Sequence, residues 1–153
     1  MDNTALLTRA EQAVAAAKRA GADAADALAL TSTDISTSIR HGKPESIEQA
    51  ESNGIGLRVF VGAGSASLST SESSAEALTA LAEQAVAIAR VAPADPFAML
   101  ASRERLATRI SSLEADHTLP DITTLQAMAR EAEAAGLGVS GITNSEGGDA
   151  SAS

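Results

Sequence analysis

The sequence predicts an α+β domain: a curved, mainly antiparallel sheet of about four to five strands, with two to three helices packed on one face. Three observations carry this. Between Ile55 and Val61 apolar residues alternate with Gly56, Arg58 and Phe60, and between Ser65 and Ser71 serines alternate with Ala66, Leu68 and Thr70; a two-residue period marks strands with one buried face. Gly62-Ala63-Gly64 stands between the two runs and supplies a hairpin turn. Residues 4–20 and 73–91 repeat their apolar positions every three to four residues instead, as amphipathic helices do.

Taken in order, the first helix is expected over Thr4–Ala20, with Asp2, Asn3 or Thr4 as its cap. Leu6, Leu7, Ala10, Ala13, Val14 and Ala17 share one face, Lys18 and Arg19 complement the dipole of the last turn, and Gly21 ends it. From Asp23 to Arg40 the period shifts: Leu28 and Leu30 hold even positions, Ile35, Thr37 and Ile39 odd ones. A flat strand cannot bury both sets on one face. A bulge or bend near Ser32–Asp34 is therefore expected, giving one long bent strand or two short ones. His41-Gly42-Lys43-Pro44 reads as a turn, Ser46–Glu51 as a polar strand and Asn53-Gly54 as the next turn, after which the Glu51–Ser71 hairpin takes over.

The second helix is expected over Ser73–Val91, with Ser73 and Glu76 as a capping box and Leu78, Leu81, Ala82, Ala85 and Val86 in its apolar stripe. Asp95-Pro96-Phe97 reads as a turn that tucks Phe97 and Leu100 against the core, and Ser102–Leu113 as a short helix or an irregular excursion. Pro120 and Asp121 introduce a third helix over Ile122–Ala135, with Leu125, Met128, Ala129 and Ala132 facing inward. Gly138–Glu146 reads as a strand, and Gly147–Ser153 as a trailing end that looks cut. The organisation expected is one domain over 1–153, with a helix–sheet–helix core over 1–92, an irregular connection over 93–120, and a helix plus strand over 121–153 leading into further chain.

Composition excludes several classes of function. Twenty acidic residues against eleven basic ones give a net charge of −9, the basic residues are scattered, and Phe60 and Phe97 are the only aromatics. Phosphate neutralisation needs clustered Lys and Arg, and base stacking needs aromatic platforms; direct nucleic-acid binding is not expected. The absence of cysteine removes disulfide and thiol chemistry and suits a cytoplasmic protein. No apolar run reaches the length of a membrane span, and MDNTALLTRAEQ lacks the pattern of a signal peptide.

Candidate sites are few. His41 and His117 are the only histidines, and no His-Glu-x-x-His motif is present, so no zinc site, no cofactor and no catalytic residue is expected within this chain. Asp116-His117 reads as two solvated loop residues. Gly62-Ala63-Gly64-Ser65 is not a phosphate cradle, because a strand and not a helix follows it. Glu45, Glu48 and Glu51 read as charge protecting a strand edge. The serine face remains, with Ser65, Ser67 and Ser69 beside Gly56, Arg58 and Phe60. It is either the wet side of a sheet or a surface that meets a partner. The second is favoured, because the pattern faces Phe60 outward and Arg and aromatic residues anchor interfaces.

The order of short motifs adds a family reading. Lys18-Arg19-Ala20-Gly21-Ala22-Asp23 is followed by Arg40-His41-Gly42-Lys43-Pro44-Glu45, then by Gly54–Gly62 (GIGLRVFVG), Ala94-Asp95-Pro96-Phe97 and Ile142-Thr143-Asn144-Ser145-Glu146-Gly147. Together they resemble the amino-terminal region of the TldD/PmbA family, also called modulators of DNA gyrase, and within it the PmbA (TldE) branch. The resemblance implies a longer protein and a cytoplasmic TldD–TldE/PmbA metallopeptidase that trims peptides. It places zinc only in the later domain of the TldD partner, whose His-Glu…His signature nothing here matches. It makes this chain a non-catalytic structural and interaction domain. The implied partners are its own carboxy-terminal domain, a family subunit in a homo- or heterodimer, and peptide substrate through the complex, with no membrane or nucleic acid. The alternative is a stand-alone α+β module that binds a protein or small ligand.

Overall fold

A computed structural model describes residues 3–109 and 118–153. The elements are α1 (Asn3–Ala20), β1 (Ala24–Arg40), β2 (Lys43–Val61), β3 (Gly64–Thr70), α2 (Ala75–Val91), a single 3₁₀ turn (Arg103–Arg105), α3 (Ile122–Leu137) and β4 (Gly148–Ala152). The four strands are ordered β3-β2-β1-β4, and β3 and β4 each pair antiparallel with their neighbour. The expected α+β class is what the chain adopts. The described residues of Met1–Thr31 and Ser52–Ser111 form one compact unit, and those of Ser32–Glu51 and Ser112–Ser153 a second.

The first unit is built on alanine. Ala13, Ala16 and Ala17 of α1 share one buried cluster with Ile55, Leu57 and Val59 of β2 and with Leu78, Ala82, Ala85 and Val86 of α2; Ala27 and Ala29 of β1 pack against it. Small side chains let helix and strand backbones approach closely, at the cost of burying less apolar area per residue. This explains a misplaced expectation. β1 is one continuous strand and its inward residues never change parity: Ala25, Thr37 and Ile39 are buried, whereas Leu28 is 65% exposed. The leucines carry the stronger hydrophobic signal, yet the alanines beside them hold the core.

The Asn53-Gly54 turn is also corrected. Both residues lie inside β2, and the Leu30 side chain lies across Gly54, 3.6 Å from where a Cβ would stand. An Asn-Gly pair favours a turn locally, but here both residues run on within the strand, where a Cβ at Gly54 would only reach ordinary contact with Leu30. The turn expected over Gly62-Ala63-Gly64 is confined to Gly62-Ala63, because Gly64 already pairs with Val61 as the first residue of β3. Asp23 fastens it: its carboxylate accepts from Gly62 N at 2.7 Å, and its own N–H donates to the Phe60 carbonyl at 2.9 Å. The cap of α2 lies one residue later than expected. Ser74, not Ser73, is its cap, accepting from Ala77 N at 3.2 Å, so no Ser73–Glu76 capping box forms. Gly64 is seated directly under α2, where an added Cβ would lie 2.1 Å from the Ala89 carbonyl oxygen. Phe97 does not tuck inward; it is 85% exposed on a turn held by Asp95 Oδ1 and Phe97 N.

In the second unit, β4 pairs with β1 from Ile35↔Ala152 to Ile39↔Gly148. The strand expected over Gly138–Glu146 is therefore displaced, and the stretch read as a trailing end is the strand itself. α3 begins at Asp121, whose carboxylate caps Thr124 N at 2.7 Å, and it buries Leu125, Ala129 and Glu133. Met128 and Ala132, expected to face inward, are exposed. Gly148 mirrors Gly64: a Cβ there would stand 2.2 Å from the Ala129 carbonyl oxygen of α3. The Asp2 cap and the Asp116-His117 pair lie outside the described residues, and so does the end of the Ser102–Leu113 stretch. Among the described residues no helix is long and apolar enough to cross a membrane.

Candidate functional site

The serine face folds into one place. Pairing sets Gly56 opposite Ser69, Arg58 opposite Ser67 and Phe60 opposite Ser65, so strand alternation puts all six predicted residues on the sheet face turned away from the alanine core. An open groove of about 460 Å³ runs across it, lined by Asp26, Leu28, Gly56, Arg58, Ser67 and Ser69 among others. Ser67 and Ser69 are exposed, while Ser65 and Gly56 are half-buried.

Two features of the face differ from the sequence reading. Phe60 is not an outward anchor; it is 5% exposed. The Arg58 guanidinium lies over its ring, 5.4 Å from the centroid, a contact worth about 0.5–1 kcal/mol at an accessible site. Arg58 itself is committed. Its Nε donates to Asp26 Oδ1 at 2.9 Å and a terminal nitrogen to Asp26 Oδ2 at 2.5 Å, a two-pronged pair across adjacent strands. The hydrogen bond to Asp26, and then its charge, hold the Arg58 guanidinium above its usual range. Asp26 was not singled out from the sequence. Its signal was there, as the one acidic residue in the alanine–leucine run of β1, on a strand where charged residues survive by cross-strand pairing.

Chemically, the groove offers hydroxyls, a glycine floor, an exposed leucine wall and a neutralised ion pair. It holds no nucleophile–base pair. Among the described residues, no three His, Cys, Asp or Glu side chains stand close enough to hold a metal ion. Glu45, Glu48 and Glu51 are all exposed.

The second unit contains a further residue that sequence reasoning missed. Glu133, on the buried stripe of α3, is 4% exposed. Its Oε1 accepts from His41 N at 2.7 Å and its Oε2 from Gly42 N at 2.8 Å, the two residues of the β1–β2 turn. The Gly42 amide, and to a lesser degree the His41 amide and the electrostatic influence of the His41 and Arg40 side chains, hold its carboxyl below the usual range against the opposing effect of burial.

This is an α+β domain with an open groove on one sheet face and no metal-holding cluster among its described residues. Residues 25–89, from β1 through most of α2, match the family model for PmbA/TldA metallopeptidase domain 1. The chain belongs to the PmbA/TldD family, as an amino-terminal domain of it. It is 32% identical over 129 residues to the metalloprotease PmbA of Escherichia coli O157:H7, covering 82% of this chain and 28% of that protein. It is 32% identical over 145 residues to the PmbA homologue of Haemophilus influenzae, covering 89% of this chain and 32% of the relative. The chain thus spans about a third or less of the curated relatives it matches. Among solved structures, a candidate modulator of DNA gyrase from Bacteroides thetaiotaomicron shares the fold with a TM-score of 0.69 at 22% identity, over 88% of this chain and 31% of that one.

Proposed function

We propose that this chain is the non-catalytic, interaction-bearing first domain of a PmbA/TldE-type subunit, working in a cytoplasmic zinc metallopeptidase assembly that acts on peptides. The observation that carries the reading is the match of residues 25–89 to the first domain of a metallopeptidase family. The branch assignment is supported by the PmbA relatives. In this reading zinc belongs to the later domain of a TldD-type partner, and the peptide meets the complex, not this chain alone. The partners are the carboxy-terminal domain of its own subunit and a second family subunit. The groove bounded by Asp26, Arg58, Ser67 and Ser69 is the face proposed to meet them, since its small side chains allow close approach of another backbone. Neither nucleic acid nor membrane has a part.

The test is metal analysis and peptide cleavage on the purified chain, alone and after mixing with a TldD-type subunit. The expected result is less than a tenth of an equivalent of zinc and no cleavage by the chain alone, with association on mixing. Stoichiometric zinc, with cleavage that survives repurification, overturns the reading.

A further inference from the structure

We propose that Glu133 is a latch holding the tip of the β1–β2 hairpin to α3, closed while its carboxylate is ionised and open when it is protonated. The inference stands apart from the family reading and rests on the geometry of the second unit alone.

The turn supplies one half. His41 and Gly42 both have positive φ, 50° and 72°, the pattern of a two-residue I′ hairpin turn. Such a turn leaves its two central N–H groups outside the strand ladder. Both are taken up by one carboxylate that lies 91 and 92 residues further along the chain. An ionised carboxylate is acceptor-only at both oxygens, so it can satisfy two N–H groups at once. A protonated acid or an amide presents one acceptor and one donor, and the donor opposes one of the two amides.

Helix α3 supplies the other half. Leu125, Ala129 and Glu133 form its buried stripe, so Glu133 occupies a place where an apolar side chain would pack. A buried carboxylate is tolerated only when its hydrogen bonds are complete, which ties its burial to the turn. The cationic or titratable groups of the hairpin facing it are Arg40 and His41. Arg130 of α3 reaches from the same side to the Gly42 carbonyl, at 3.4 Å. The only titratable residue of β4 is the exposed Asp149.

The open state has no orphaned groups. Once apart, the two turn N–H groups and the carboxyl can each be hydrated, so the contact can open without unfolding the helix behind it. That separates a latch from a strut.

The experiment is amide NMR on the whole chain, titrated from pH 7 to pH 3. The His41 and Gly42 amide shifts should follow the Glu133 side-chain carboxyl with one shared midpoint, below the ordinary Glu range of about 4.3. The protection factors of these two amides, taken relative to the intrinsic exchange rate at each pH, should fall roughly 10- to 100-fold, while the Ala129 amide of α3 keeps its protection. The variant Glu133→Gln should show the open pattern already at pH 7. If the two amides ignore Glu133 ionisation, or keep their protection in Glu133→Gln, the proposal fails. It fails equally if α3 loses protection together with the tip, since Glu133 is then a strut.

Discussion

Phe60 and Arg58 show how far one residue can be read from its neighbours in sequence. Alternation correctly puts both on the face opposite Leu57 and Val59, but alternation reports direction and not cover. Phe60 is buried beneath a guanidinium that is itself turned aside by Asp26. That partner lies 32 residues away on another strand, so no local pattern could name it. The consequence is measurable. Phe60→Ala should cost about 3 kcal/mol or more, the range for truncating a buried aromatic. Arg58→Ala should cost under about 1 kcal/mol, because the Arg58 and Asp26 side chains are 51% and 45% exposed and water screens such pairs. Urea titration of the two variants decides this. If Arg58→Ala is as damaging as Phe60→Ala, the ion pair is structural and the groove is not free to serve a partner. Arg58→Ser, without any change at Phe60, is therefore the clean probe of assembly in the proposed complex.

At the scale of elements, periodicity gave the helices and the β2–β3 hairpin nearly to the residue. It failed where a residue's role depends on what lies against it. Leu28 and Leu30 carry the stronger hydrophobic signal, yet the helix packs on Ala27 and Ala29. Asn53-Gly54 carries a turn signal, yet pairing with β1 absorbs it. Gly64 and Gly148 make the same point. One was read as turn and the other as tail, but each is where a helix backbone rests on a strand, with Ala89 O over Gly64 and Ala129 O over Gly148. An alanine at either place meets a carbonyl that cannot swing away as a side chain does, so each substitution should cost about 1–3 kcal/mol by overpacking. The damage should also be local. Gly64→Ala should lower hydrogen-exchange protection across α2 and β3, and Gly148→Ala across α3 and β4. Equal loss in both units from either substitution would show that the seats are not separate devices.

At the scale of the whole molecule, the acid response should not be uniform. The chain carries a net charge of −9 near neutrality, so protonating exposed carboxylates first relieves self-repulsion everywhere. Against that, among the described residues two carboxylates are held below their usual range, and both belong to the second unit. Asp121 is lowered chiefly by the Thr124 backbone amide at the start of α3, and Glu133 chiefly by the Gly42 amide. A carboxylate with a depressed folded-state pKa contributes stability that is fully present above its unfolded value of about 4. That contribution is lost as the pH falls through the folded-state value. As the pH falls below about 4, then, the second unit loses a helix cap and a buried carboxylate contact. The first unit is held by alanine and aliphatic packing, whose strength does not depend on protonation. Hydrogen exchange followed from pH 6 downward should show the His41, Gly42 and Thr124 amides, the ones these two carboxylates hold, losing protection at a higher pH than Leu57, Val59 and Ala85. The reverse order, or simultaneous loss, would mean that acid acts through the general charge of the surface and not through these two carboxylates.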